Sequence, residues 1–133
     1  VFKYNDLVGV PFQDGGRGPD SYDCWGLAIE IFHRQGITLS DYCISSEATA
    51  NVSLLMGNAI HSQWNRLITP KEGCLTVIRM LPEGWANHCG IYIGSGKFIH
   101  AYSDETGVVI DRIRRWGPRI IGYYWPMEAA YET

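Results

Sequence analysis

An α+β fold, with N-terminal helices packed on a central antiparallel sheet of about five strands, is what this 133-residue sequence predicts. Two observations carry that expectation. Helical patterns come first, and strand patterns fill the chain after the turn Pro70-Lys71-Glu72-Gly73. That segregated order builds an antiparallel sheet with helices to one side, not alternating βαβ units. The second is composition: 46% hydrophobic and 13% aromatic residues supply one core in a single domain spanning 1–133, without metal or disulfide staples.

The elements follow in order. Residues 3–8 suit a short helix ended by Gly9 and Pro11, and Asp14 to Asp20 form a glycine-rich loop. That loop lacks the Gly-Lys-Ser/Thr ending of a phosphate cradle. Cys24 to Gln35 is predicted as a helix, with Asp23 as N-cap and Gly36 as the stop. Trp25, Ala28, Ile29 and Phe32 make one apolar face of it, and Leu27 and Ile31 a second, so it is a core helix. A second helix is expected from Ala50 to Arg66, weakened by Gly57. Strands are expected at 75–80, 88–93, 98–102, 108–112 and 120–125.

Charge and composition exclude several classes. A net charge of -3 and a pI near 5.7 argue against a nucleic-acid binder. Arg112, Arg114, Arg115 and Arg119 cluster around Trp116, either as a solvated edge or as a contact for an anionic polymer or partner. Four cysteines (24, 43, 74, 89) and four histidines (33, 61, 88, 100) form no Cys-x-x-Cys or His-x-x-x-His pair, so no metal and no cofactor is expected. Their irregular spacing gives no disulfide framework either, although one bridge stays open. Residues 1–6 hold no leader-type apolar core, and no run reaches the ~18 apolar residues of a membrane span.

Cys24 stands at the predicted helix start, where backbone N–H groups and the helix dipole favour a thiolate. His88 and His100 fall on neighbouring predicted strands. In His88-Cys89-Gly90-Ile91-Tyr92-Ile93, alternation places Cys89, Ile91 and Ile93 on the core face and His88, Gly90 and Tyr92 on the other. His88 meets the N-terminus of the Cys24 helix on that second face if the helix packs there. A regular two-residue turn at Ser95-Gly96 would pair Ile91 with His100 and separate the two histidines. A shared face requires an odd-length loop or a bulge, so an irregular turn is expected at residues 93–96, where Gly94 and Gly96 can take positive φ. The other cysteines read as packing, and His33 and His61 as surface residues.

These residues carry a resemblance. Gly9-Val-Pro-Phe12, Asp23-Cys24-Trp25-Gly26-Leu27, Pro70-Lys-Glu-Gly73 and His88-Cys-Gly-Ile-Tyr-Ile-Gly94-Ser-Gly-Lys-Phe-Ile-His100-Ala101 resemble, in order, the NlpC/P60 family of cysteine peptidases. The match runs over nearly the whole chain. It implies a papain-like fold and a triad of Cys24 as nucleophile, His88 as base and His100 as orienting residue. It also implies cleavage of peptidoglycan stem peptides beside D-glutamate, with substrate contacts around Phe12, Tyr22, Asp23 and Trp25. The Asp-Cys-Trp-Gly-Leu form and the closing Ile121-Gly-Tyr-Tyr-Trp125 resemble members encoded with bacteriophage tail genes. The expected partners are therefore a bacterial stem peptide and phage tail proteins, and the expected place of action is the cell wall, for a virion-associated or exported protein.

Three positions depart from the family pattern. Phe12 replaces a common Tyr, so Tyr22 is a candidate for the lost hydroxyl. Trp25 replaces a small residue after the cysteine, and Cys74 replaces Asp after Gly73. The departures at Phe12 and Trp25 motivate a second reading, a silent phage-tail or wall-binding module, while a muramoyl-alanine amidase or a thiol acyltransferase would keep the nucleophile and change the bond.

Overall fold

The computed structural model describes residues 2–41, 62–80 and 88–131. A six-stranded antiparallel sheet is ordered β1-β6-β2-β3-β4-β5. Its strands are β1 (Trp64–Leu67), β2 (Leu75–Ile78), β3 (His88–Gly94), β4 (Lys97–Ser103), β5 (Gly107–Arg112) and β6 (Ile120–Pro126). Helix α1 (Cys24–Arg34) packs on one face, and a one-turn helix α2 (Ile113–Trp116) follows β5. This is the predicted α+β architecture, with one strand more than expected.

The additional strand is β1, from the stretch read as the end of a second helix. Trp64–Leu67 pairs with Tyr123–Pro126 of β6, and Trp64 meets Phe32 of α1 edge-on at 5.6 Å. Non-local pairing and aromatic burial override a local helical pattern that Gly57 already weakened. Of the rest of that expected helix, Ser62 and Gln63 are helical, and 50–61 lie outside the described residues. The short helix at 3–8 is a single 3-10 turn, Asn5–Leu7. α1 stops at Arg34, one residue early, with Gln35 as C-cap and Gly36 at φ +83°.

Both faces of the sheet are covered near β3 and β4. On one face Leu27, Ala28, Ile31 and Phe32 of α1 pack against Leu75, Val77, Cys89, Ile91, Ile99 and Ala101. On the other, Ile78, Phe98 and Trp116 form a smaller cluster with Met80, Ile113 and Ile120 at its margin. α1 thus lies on the Cys89 face, which alternation assigned to the core, and not on the His88 face. The hydrophobic payload of α1 goes to the strand face richest in Ile and Val.

The β3–β4 hairpin is irregular where a shared histidine face requires it. Ile91 pairs with Ile99 and Tyr92 with Phe98, but the next pair is Gly94 with Lys97, so Ile93 is an extra residue. Gly94, Ser95 and Gly96 all have positive φ, at +93°, +53° and +71°. The result is a two-residue turn preceded by a one-residue bulge.

Candidate active site

The start of α1 is held by one carboxylate. Asp23 is buried and accepts hydrogen bonds from Gly26 N–H at 2.7 Å, Gly15 N–H at 3.0 Å and Arg17 Nη1 at 2.8 Å. The first is an N-cap bond. The other two tie the preceding loop to the same carboxylate, and Arg17 continues to Asp41 at 2.8 Å. Burial raises the Asp23 pKa, against which the Gly26 N–H and Arg17 act. Gly26 packs directly on the backbone of Gly16, where any Cβ would collide. The position of Cys24 is thereby fixed against the loop.

Cys24 follows this cap and is 8% exposed. Its thiol pKa lies well below the ordinary value because the Cys89 S–H donates to it, because it hydrogen-bonds to His88, and because the His88 charge favours the thiolate; burial opposes the shift. Cys89 Sγ is also 3.6 Å from the Cys24 carbonyl oxygen, and its own pKa is raised by donation to Cys24 and by burial. Cys89 is expected from the sequence to serve packing alone. It is fully buried, but it is also the thiol neighbour of Cys24. Cys74 is a core thiol pushed up to about 11 by burial. Cys43 lies outside the described residues.

β3 and β4 bring the two histidines together. With Ile91 opposite Ile99, Gly90 faces His100, and His88 lies diagonal to it on the same side of the sheet. His88 Nε2 is 2.8 Å from His100 Nδ1. Gly90 leaves room for this, since a Cβ there would strike Phe98 and the Cβ of His100. His88 is the first residue of β3, and it acts on Cys24 by hydrogen bond and charge although α1 covers the opposite face. Burial pushes the His100 pKa down to about 3, aided by the charge of His88 and opposed by Asp111.

Two partners of the histidines were not legible beforehand. Asp111 Oδ2 is 3.1 Å from His100 Nε2, and Arg115 Nη1 donates to Asp111 Oδ1 at 3.3 Å. Val109 pairs with His100, so the period of two puts Asp111 on the same face as His100. Assuming a hairpin after β4 was enough to find it. Trp116 stacks on His88 with ring centroids 6.3 Å apart and meets His100 edge-on at 5.3 Å. It roofs the pair.

Of the residues expected to contact substrate, Asp23 is saturated by the bonds above. Trp25 donates Nε1–H to the Ser40 carbonyl at 3.3 Å and lies edge-on to Trp64. Phe12 bridges to Tyr22 and packs at the core margin. Tyr22 is buried, with its ring against Gly18. In the arginine cluster, Arg119 lies over the Trp116 ring at 5.5 Å and Arg115 pairs with Asp111. Among the described residues no group of His, Cys, Asp and Glu could hold a metal ion.

Fold and site together define an α+β domain in which a helix-borne thiol meets a histidine pair carried by two strands. The NlpC/P60 family model matches residues 9–123, and the chain belongs to that family. It is 31% identical over 118 residues to the probable endopeptidase p60 of Listeria grayi, covering 87% of this chain and 20% of that protein. The probable peptidoglycan endopeptidase LytE of Bacillus subtilis is 30% identical over 118 residues, covering 87% and 30%. The murein DD-endopeptidase MepH of Escherichia coli is 32% identical over 107 residues, covering 79% and 35%. The chain thus spans between 20% and 35% of these relatives' lengths. Among solved structures, the NlpC/p60 domain of the peptidoglycan hydrolase SagA superposes with TM-score 0.58 at 20% identity, covering 92% and 91% of the two chains. NlpC2 from Trichomonas vaginalis superposes at 0.66 and 20% identity, covering 96% and 43%. Both share the fold.

Proposed function

We propose that this domain is a cysteine endopeptidase that hydrolyses amide bonds of bacterial peptidoglycan stem peptides, of the γ-D-glutamyl-diamino acid type. The observation that carries the reading is the thiol of Cys24, favoured as thiolate at a helix start beside the hydrogen-bonded pair His88–His100. The names of LytE, a probable peptidoglycan endopeptidase, and MepH, a murein DD-endopeptidase, support the substrate class.

In the proposed reaction His88 takes the Cys24 proton, and the thiolate attacks the scissile carbonyl carbon. The Cys24 N–H, in the first turn of α1, donates to the developing oxyanion. Collapse of the tetrahedral intermediate breaks the C–N bond, and His88 gives its proton to the leaving amine. A water deprotonated by His88 then hydrolyses the thioester and restores the thiol. His100 keeps the His88 ring in place. The tail-associated form of the nucleophile motif extends the proposal to a virion tail as the place of action.

Digestion of purified peptidoglycan by wild type and Cys24→Ala, with products identified by mass spectrometry, tests the proposal. Cys24-dependent cuts after D-glutamate are expected. Cuts between sugar and L-alanine would replace the endopeptidase by an amidase, and the absence of Cys24-dependent release would remove the enzyme.

A further inference from the structure

A neutral imidazole can carry its proton on either nitrogen, and only one choice lets His88 act as a base toward Cys24. The hydrogen-bond order in this site settles the choice from its far end. A carboxylate accepts and cannot donate, so Asp111 Oδ2, 3.1 Å from His100 Nε2, requires a proton on that nitrogen. His100 Nδ1 is then an acceptor. It lies 2.8 Å from His88 Nε2, which must be the donor. The remaining nitrogen of His88, Nδ1, is left with a lone pair for the Cys24 thiol.

We propose that Asp111 is a positioning residue, which acts through His100 to set the tautomer of His88 and so present its basic nitrogen to Cys24. The inference rests on the reading of Cys24 and His88 as nucleophile and base. The surroundings fit a relay that stays neutral at its middle. His100 is fully buried between His88 on β3, Asp111 on β5, Tyr102 of its own strand and Trp116 of α2. Asp111 is 15% exposed, and its second oxygen is held by Arg115. Burial keeps His100 uncharged down to about pH 3, so His100 passes on orientation without itself taking the proton.

The tautomers can be read without turnover. In Cys24→Ala the tautomers are read apart from any proton exchange with the thiol, and ¹⁵N NMR at pH 8 should show His88 and His100 both protonated at Nε2. Adding Asp111→Asn offers an amide donor to His100 Nε2, which reverses the chain and moves both protons to Nδ1. In the Cys24-containing protein, Asp111→Asn should then lower kcat on peptidoglycan fragments by about 100-fold or more, the worth of a positioned base, with KM little changed. Asp111→Glu, which still only accepts, should keep the Nε2 protons and recover part of the rate. A proton on Nδ1 of His88 with Asp111 intact overturns the proposal. So does an Asp111→Asn protein that keeps both wild-type tautomers. Should Cys24-dependent hydrolysis itself be absent, the tautomers still decide the role of Asp111.

Discussion

His88 Nε2 and His100 Nδ1 stand 2.8 Å apart only because one residue, Ile93, is left over between the pairs Tyr92–Phe98 and Gly94–Lys97. Without that bulge, the two-residue turn at Ser95-Gly96 would set His100 opposite Ile91 and turn it to the face of α1. The chemistry of the site therefore depends on backbone geometry at the tip of the hairpin, several residues away from either ring.

Gly94 is the position that tests this. Its φ of +93° suits glycine, and its surroundings are open, since an added Cβ would come no closer than 3.8 Å to Glu72. Any cost of Gly94→Val is then backbone cost, about 1–2 kcal/mol for a left-handed residue with a side chain. Relief of that strain favours the regular register, so hydrolysis should fall further than stability does. Denaturant unfolding and peptidoglycan digestion measure the two; unchanged stability and rate would detach the turn from the site.

How far this was legible varies from residue to residue, for physical reasons. The period of a strand over residues 88–100 by itself requires the irregular turn if the two histidines share a face. It could not say which face α1 covers, because β3 is buried on both sides from His88 to Ile91 and alternation carries no signal there. Asp111 escaped because the arginines after it drew the eye to charge, whereas its meaning lies in the pairing of β4 with β5. Trp116 read as an interruption of that charge run, and only the tertiary fold turns it over His88. β1 is a four-residue strand whose existence depends on β6, nearly sixty positions away, and no local pattern marks it.

Cys89 should prove part of the chemistry of the Cys24 thiol. The loss of its S–H in Cys89→Val, a near match in size, removes the largest single influence that favours the Cys24 thiolate. Hydrogen bonds to charged groups contribute about 1.5–3 kcal/mol, so the thiolate fraction at neutral pH should drop about tenfold or more. Iodoacetamide alkylation of Cys24 followed against pH reads this as a shift to higher pH. A profile identical to wild type would leave Cys89 with packing alone.

Stability should weaken in acid through His100. Its folded pKa of about 3 lies below the ordinary 6.5, so below pH 6.5 the unfolded chain binds a proton that the folded chain refuses. Stability is therefore undiminished above pH 6.5 and is lost as pH falls toward 3, at up to about 1.4 kcal/mol per pH unit. His88, Asp111 and Tyr102 surround the ring, and none changes the sign of this dependence for His100. Urea unfolding of wild type and His100→Gln between pH 7 and 4 should give a shallower slope for the variant. Equal slopes would show that His100 is protonated in the folded protein.

Asp23 distinguishes a structural anchor from a substrate contact. Its carboxylate is 1% exposed and accepts from Gly15, Gly26 and Arg17, which leaves little of it to meet a ligand. Asp23→Ala removes the cap, worth about 1 kcal/mol, and takes from the Gly15 N–H and from Arg17 Nη1 their carboxylate acceptor, so the total loss should reach about 2–4 kcal/mol. Asp23→Asn keeps a side-chain oxygen for the Gly26 N–H, and asparagine caps helices as well as aspartate does. It gives up the charge opposite Arg17, so its loss should be smaller but measurable. If Asp23 is the anchor, Asp23→Asn lowers stability and kcat together, because Cys24 sits on the turn that moves, while KM for a stem peptide stays within about twofold, the size of an incidental contact change. If its carboxylate instead binds the substrate, the same variant keeps its unfolding midpoint and raises KM. Thermal unfolding together with steady-state kinetics on one preparation separates the two, because the anchor and the contact move opposite pairs of quantities.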